Sequence, residues 1–191
     1  AGPAGAAGKS DDGVGSAAGL AHLLSGIAAD ARLLRQGRAL QLAQRTVQKP
    51  ENKIGRRVTI KGKDGSFGAY AADSKASGPA IVVIQEIFGV NKVMRDTCDW
   101  LAGEGYAAVC PDLFWRIEPG IDITDQTDAE WEKAFSCFKA FNVDKGVEDI
   151  AATIAWAHGE GHGKVGAVGY CLGGLLAFLT ATRTDADAAV G

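Results

Sequence analysis

Residues 80–84 read Ala-Ile-Val-Val-Ile, an unbroken apolar and largely β-branched stretch. Such a run predicts a strand buried on both faces of a parallel sheet. Val90, Val93, Met94, Thr97 and Leu101 then recur at helical spacing until Gly103 and Gly105, after which residues 107–110 are apolar again. Strand, helix and strand in that order predict a mostly parallel sheet with helices on its faces. Upstream, residues 57–60 and 67–70 alternate around Lys63-Asp64-Gly65, the pattern of a β-hairpin. Downstream, residues 112–127 form a long irregular connection of the kind that tends to rim a site. Thr127 followed three residues later by Glu130 predicts a capping box, starting a helix with Trp131, Phe135 and Phe138 on one face. A second helix, over 143–158, repeats Val147, Ile150, Ala151 and Ile154 at the same period, and residues 165–168 form the next strand. Residues 175–180 read as a helix, and residues 188–191 as the start of a further strand.

The candidate chemistry sits where the strand at 165–168 turns into that helix, at Gly169-Tyr170-Cys171-Leu172-Gly173-Gly174. A strand that turns sharply into a helix on glycines is the setting of a nucleophile elbow, G-x-[nucleophile]-x-G, here with cysteine. Only residues without Cβ are expected to fit at Gly169 and Gly173, where strand and helix crowd the turn. The gain is an exposed sulfur beside backbone N–H groups of a helix N-terminus, which favour a thiolate and can hold a developing oxyanion. The competing reading is that a lone cysteine among Ala, Val and Leu is a small buried hydrophobe. Glu86 falls just past the carboxyl end of a buried strand, the edge where open α/β sheets bind ligands. Its competing reading is a strand-end carboxylate that meets solvent or an arginine.

Three stretches together, residues 169–174, 83–91 (Val-Ile-Gln-Glu-Ile-Phe-Gly-Val-Asn) and 105–113 (Gly-Tyr-Ala-Ala-Val-Cys-Pro-Asp-Leu), resemble the dienelactone hydrolases, or carboxymethylenebutenolidases. The match runs from about residue 57 to residue 191. It implies an α/β-hydrolase fold and cleavage of a small ester or lactone, with Cys171 as nucleophile through a thioester and no metal or organic cofactor. It further implies that Glu86 helps take the thiol proton, and that the N–H groups of Ile87 and Leu172 form the oxyanion hole. A carboxylate kept from water can serve as a base near neutrality.

Two departures from the family pattern bear on substrate. Trp131 stands where members acting on carboxylate-bearing dienelactones have an arginine, and Phe135 where they have a tyrosine. The exchange removes a bidentate carboxylate partner and a hydroxyl from the pocket and adds apolar surface. Arg116 in the long loop, or Arg95, is a candidate to compensate. The triad is a third departure: an acid and then a histidine follow the nucleophile in this architecture, whereas His22, His158 and His162 all precede Cys171. His158 and His162 border the start of the nucleophile strand, roughly 15 Å from the elbow at about 3.3 Å per residue. They are expected to be solvated loop residues.

The expectation is therefore two regions. Residues 56–191 would be the first two thirds of an α/β-hydrolase domain, incomplete at its C-terminus, with little triad-type activity alone. Residues 1–55 would be a poorly ordered extension: Ala/Gly-rich to residue 19, then Leu20, Leu23, Leu24, Ile27, Ala31 and Leu34 at helical spacing beside Arg32, Arg35 and Arg38. That Arg-rich segment reads as a transit peptide or a surface helix. Gly8-Lys9-Ser10 imitates the end of a phosphate loop, but Pro3 stands where its first glycine belongs, and Gly161-His162-Gly163-Lys164-Val165-Gly166 precedes a strand instead of following one.

Composition narrows the classes. At 191 residues, 47% hydrophobic and 23% charged, the chain suits one core. A formal charge of −3 argues against a nucleic-acid partner, and no apolar run reaches the length of a membrane span. Cys98, Cys110, Cys137 and Cys171 form no C-x-x-C pair and no zinc-like spacing, which suits a reducing cytoplasm, and the first three read as core residues. Two other classes stay open beside the hydrolase: a catalytically incomplete chain with a binding role or none, and a redox-active thiol protein, disfavoured because no second cysteine neighbours Cys171 in sequence.

Overall fold

The computed structural model describes residues 55–74 and 78–191; the extension expected over residues 1–55, Gly55 apart, lies outside them. The strands are β1 (Gly55–Lys61), β2 (Ser66–Ala72), β3 (Ala80–Ile84), β4 (Ala107–Pro111), β5 (Val165–Gly169) and β6 (Ala188–Val190). The helices are α1 (Lys92–Gly103), α2 (Asp128–Ala140), α3 (Val143–Gly159) and α4 (Leu172–Arg183). They build a six-stranded sheet in the order β1-β2-β4-β3-β5-β6. The β1–β2 and β2–β4 pairs are antiparallel, and β3–β4, β3–β5 and β5–β6 are parallel. The hairpin thus forms one edge of a sheet that is parallel where the cysteine turn sits.

Alternation along the central strands divides the core in two. Val82 and Ile84 of β3 and Ala107 and Val109 of β4 point into a large cluster with Ile150 and Ile154 of α3 and Leu176 and Ala177 of α4. Val83, Ala108 and Cys110 point the other way, onto Met94, Cys98, Leu101 and Ala102 of α1. Both faces of β3 are therefore covered, and Val82, Val83 and Ile84 are fully buried, as a continuous apolar run requires. Cys98, Cys110 and Cys137 are buried core residues.

Helix α2 carries its aromatic residues on one face, as expected, and turns that face outward. It buries Ala134 and Cys137, while Trp131, Phe135 and Phe138 lie on its outward face, 37%, 47% and 44% exposed. Its start is as the capping box predicts: Thr127 Oγ1 accepts from the Glu130 N–H. Glu130 in turn accepts from the N–H and hydroxyl of Thr124 and from the Thr127 hydroxyl, which hold its carboxyl below the usual carboxylate value. This carboxylate ties the end of the long loop to the helix.

The start of that loop is tied differently. Asp112, buried at the end of β4, accepts from the N–H groups of Phe114 (3.1 Å) and Gly120 (2.7 Å). Burial pushes its carboxyl up and these two bonds pull it down. Next to it, Asp149 of α3 is 1% exposed and accepts from both terminal nitrogens of Arg116 and from the indole N–H of Trp115. Asp64 of the hairpin turn adds a second carboxylate to the same guanidinium at 3.2 Å. One buried carboxylate joins helix α3, the long loop and, through Arg116, the hairpin. Breaking a buried pair costs several times the worth of a surface pair, because a charge is left behind. Asp149→Ala is expected to destabilise the domain by about 3 kcal/mol, whereas Asp144→Ala, which releases only the exposed Arg183, should change stability by less than about 0.5 kcal/mol. Urea unfolding of the two variants checks the contrast.

Candidate functional site

The register of β3 on β5 sets Ile84 opposite Gly169. Two residues further along each parallel chain come Glu86 and Cys171, so both leave the sheet at the same end. Cys171 is exposed and has φ 55° and ψ −119°; no other non-glycine residue among those described has positive φ. That backbone costs on the order of 1–3 kcal/mol and persists only where the surroundings impose it. The hydrophobe reading of Cys171 is thereby excluded: the thiol faces solvent on a strained turn.

The surroundings are main chain. A Cβ on Gly169 would stand 2.1 Å from the carbonyl oxygen of Gly173, and one on Gly173 would stand 2.4 Å from that of Ile84 and 2.9 Å from that of Gln85. Strand β5, helix α4 and the end of β3 therefore meet backbone to backbone. The contact brings Leu172, the first residue of α4, beside residues 85–87. The Ile87 and Leu172 side chains are buried, 7% and 4% exposed, and their N–H groups donate to no carbonyl among the described residues. An unpaired N–H group at a helix start can receive negative charge.

Glu86 is half-buried, so its removal from water is only partial. Sequence reasoning does not single out its neighbour Gln85, which is completely buried. Gln85 Oε1 accepts from the Leu113 N–H at 2.9 Å, and Nε2 donates to the Glu86 carbonyl at 3.3 Å. The available signal was one amide closing an otherwise apolar strand.

Beyond Ile87 the aromatic residues begin. Phe88 meets Trp131 edge to face at 5.1 Å, and Trp131 stacks on Phe135 at 5.6 Å. The Trp131 indole N–H is spent on the Asp125 carbonyl, which fixes the ring. Phe88 is held as well, since its carbonyl accepts from the Ile123 N–H and Gly89 bridges to Asp122. The cluster presents an apolar ledge that starts one residue from the Ile87 N–H.

Arg116, expected to line the pocket, is corrected by the structure. Its guanidinium is engaged by Asp149 and Asp64 and lies over the Trp115 ring, which leaves it no donor pair to offer a substrate carboxylate. Arg95 spends Nη1 on Asp122 and the Val90 carbonyl. His158 lies in the last turn of α3 with Nδ1 on the His162 carbonyl, and His162 Nδ1 sits on the Gly78 carbonyl. Both belong to the opposite end of the strands from Cys171; His162 is not simply solvated but fastened to the segment before β3.

Residues 67–191 match the sequence model of the dienelactone hydrolase family. A carboxymethylenebutenolidase of Pseudomonas putida is 48% identical over 138 residues, covering 70% of this chain and 58% of that protein. Carboxymethylenebutenolidase 1 of Cupriavidus pinatubonensis is 42% identical over 130 residues, covering 66% of this chain and 56% of that protein. The chain thus spans a little over half the length of these relatives. A crystal structure from Klebsiella pneumoniae, assigned to the dienelactone hydrolases, aligns with TM-score 0.58 at 28% identity over 71% of this chain and 56% of its own. An α/β hydrolase from Novosphingobium aromaticivorans, at TM-score 0.51 and 20% identity over 72% of this chain and 42% of its own, shares the fold.

The glycines of the turn can be tested one against another. Gly173→Ala drives a methyl into two carbonyl oxygens with no side chain to give way, and is expected to cost at least about 2 kcal/mol. For Gly174→Ala the nearest atom is 3.6 Å away, and alanine's better helix propensity should leave stability unchanged or up to about 1 kcal/mol higher. Chemical denaturation of both variants measures the difference.

Proposed function

The chain belongs to the dienelactone hydrolase family, and on that premise we propose that it carries the acylation half of a cysteine-dependent ester or lactone hydrolase. The observation that carries the reading is Cys171 itself, exposed and held at φ 55° where strand becomes helix. In the proposed step Glu86 accepts the thiol proton and Sγ attacks the substrate carbonyl. The carbonyl oxygen becomes an oxyanion opposite the N–H groups of Ile87 and Leu172. Collapse breaks the acyl carbon–oxygen bond, the leaving oxygen takes the proton held by Glu86, and a thioester remains on Cys171. Release of that thioester to water calls for a general base, and the described residues bring no histidine to this end of the sheet. Acylation is accordingly the step to measure.

The substrate reading follows from the ledge. With Trp131 and Phe135 stacked beside Phe88, and with the Arg116 fork engaged by Asp149 and Asp64, the pocket favours a neutral acyl group with apolar or aromatic surface over a carboxylate-bearing one. The ligand class is a small neutral ester or lactone. No step of this chemistry calls for a metal or an organic cofactor.

Two outcomes are expected. First, p-nitrophenyl acetate should release p-nitrophenolate and leave an acetyl group on the peptide containing Cys171, detected by mass spectrometry. Cys171→Ser should slow that acylation by on the order of a hundredfold or more. Acetylation spread over lysines, or an unchanged rate in the serine variant, would count against the nucleophile. Second, Trp131→Arg should raise acylation by the mono-p-nitrophenyl ester of succinic acid, relative to the acetate, by about tenfold. That gain is about 1.4 kcal/mol, the scale of one charge-assisted hydrogen bond. Equal rates for the two esters across both proteins would remove the ledge from the specificity argument.

A further inference from the structure

Gln85 is an amide at a place built for an apolar side chain. It continues the run of β3, is completely buried, and neighbours Leu113. Burying an amide without partners costs several kcal/mol, so such a residue is retained only where both its ends are satisfied. They are satisfied by two backbone groups from different segments. The Leu113 N–H can only donate, so it selects Oε1, and the Glu86 carbonyl can only accept, so it selects Nε2. The orientation of the amide is thereby determined by its partners.

The second of these bonds reaches the reaction centre through one peptide unit. The carbonyl of Glu86 and the N–H of Ile87 belong to the same planar group, and no peptide bond among the described residues is cis. In a trans peptide the C=O and the N–H point in opposite directions. Holding the Glu86 carbonyl inward, onto the buried amide of Gln85, turns the Ile87 N–H outward. A carbonyl that accepts a hydrogen bond also polarises its own peptide, which makes the N–H a better donor.

We infer that Gln85 is a positioning residue for the oxyanion hole: its Nε2–H···O=C bond to Glu86 aims and strengthens the Ile87 N–H that receives the developing oxyanion. The bond to Leu113 locks the amide in the orientation this requires, and so couples the oxyanion donor to the start of the long loop after β4. This inference rests on the nucleophile reading above, with Ile87 as an oxyanion donor.

Two reagents for the same thiol separate this role from a merely structural one. p-Nitrophenyl acetate acylates Cys171 through an oxyanion; iodoacetamide alkylates it by displacement at carbon without one. Both rates depend alike on thiolate fraction and exposure, and the remaining three cysteines are buried. Their ratio therefore isolates oxyanion stabilisation. Gln85→Met, close in volume and lacking both amide bonds, is expected to lower the acylation rate about tenfold or more while alkylation stays within about twofold. That loss is a fraction of the hundredfold or greater cost of deleting a whole oxyanion donor. Parallel loss of both rates, or loss of neither, overturns the inference. Should Gln85→Met fail to fold, as judged by tryptophan fluorescence, Gln85→Glu keeps an acceptor for the Leu113 N–H and, when ionised, lacks the donor. The same selective loss at alkaline pH supports the role, and an unchanged ratio overturns it. Failure of the unsubstituted chain to acylate at Cys171 while still alkylating there would instead bring down the nucleophile reading, and this inference with it.

Discussion

Everything at the candidate site depends on three stretches of backbone meeting with nothing between them. The end of β5, the first turn of α4 and the end of β3 approach so closely that a methyl group on Gly169 or Gly173 would overlap main-chain oxygen. Main chain cannot move aside as a side chain can, so the contact holds the intervening residues in one conformation. That is how a cysteine comes to sit at φ 55°, a value which the residue itself disfavours. The same approach sets the first turn of α4 against the carbonyls of Ile84 and Gln85, so that strain in the turn and the meeting of α4 with the end of β3 share one cause. Parallel pairing of β3 with β5 makes Glu86 and Cys171 leave the sheet at the same end.

A close contact of this kind needs rigid supports, and the fold supplies them unevenly. On one face the strands are backed by apolar helix surface, with α1 on Val83, Ala108 and Cys110. On the other face, towards the hairpin edge, the support includes charge: Asp149 collects Arg116 and Trp115, and Asp112 closes its loop on two backbone N–H groups. These carboxylates organise the loop that follows β4, whose Leu113 N–H meets Gln85. The loop is therefore no loose rim. It is fastened at its start by Asp112 and Asp149 and at its end by Glu130.

The sheet and the turn were legible in the sequence for definite reasons. An unbroken run such as Ala-Ile-Val-Val-Ile has few other uses than a strand buried on both faces, and glycines two residues either side of a cysteine state a steric demand that the structure then displays as overlap. Family resemblance and family match agree on the same stretch. What escaped was tertiary pairing. Nothing near Arg116 in sequence announces Asp149, thirty-three residues on, so an arginine in a long loop reads as free to meet substrate. The aromatic stripe of α2 was legible only in part: helical spacing finds the face but not its direction, and in α2 the small residues Ala134 and Cys137 face the core while the rings face outward. Gln85 was hidden because a single polar residue at a strand end is ordinarily a boundary mark, and its amide is satisfied by Leu113 of the loop after β4.

The ledge and the charges together limit what the site can accept. Trp131 and Phe135, exposed beside the half-buried Phe88, are costly in water unless something apolar covers them, and Trp131 is held in place by its bond to the Asp125 carbonyl. A rigid aromatic surface that begins beside the Ile87 N–H suits a flat acyl or leaving group lying against it with its carbonyl turned to the thiol. On the proposed reading, a carboxylate on that group would have to shed its water against three rings while Arg116 stays paired with Asp149 and Asp64. Those pairs are the tighter claim, because Asp149 has no water to return to if its partner leaves. On the proposed reading, selectivity for uncharged substrates would follow as much from where Arg116 is held as from the rings of the ledge.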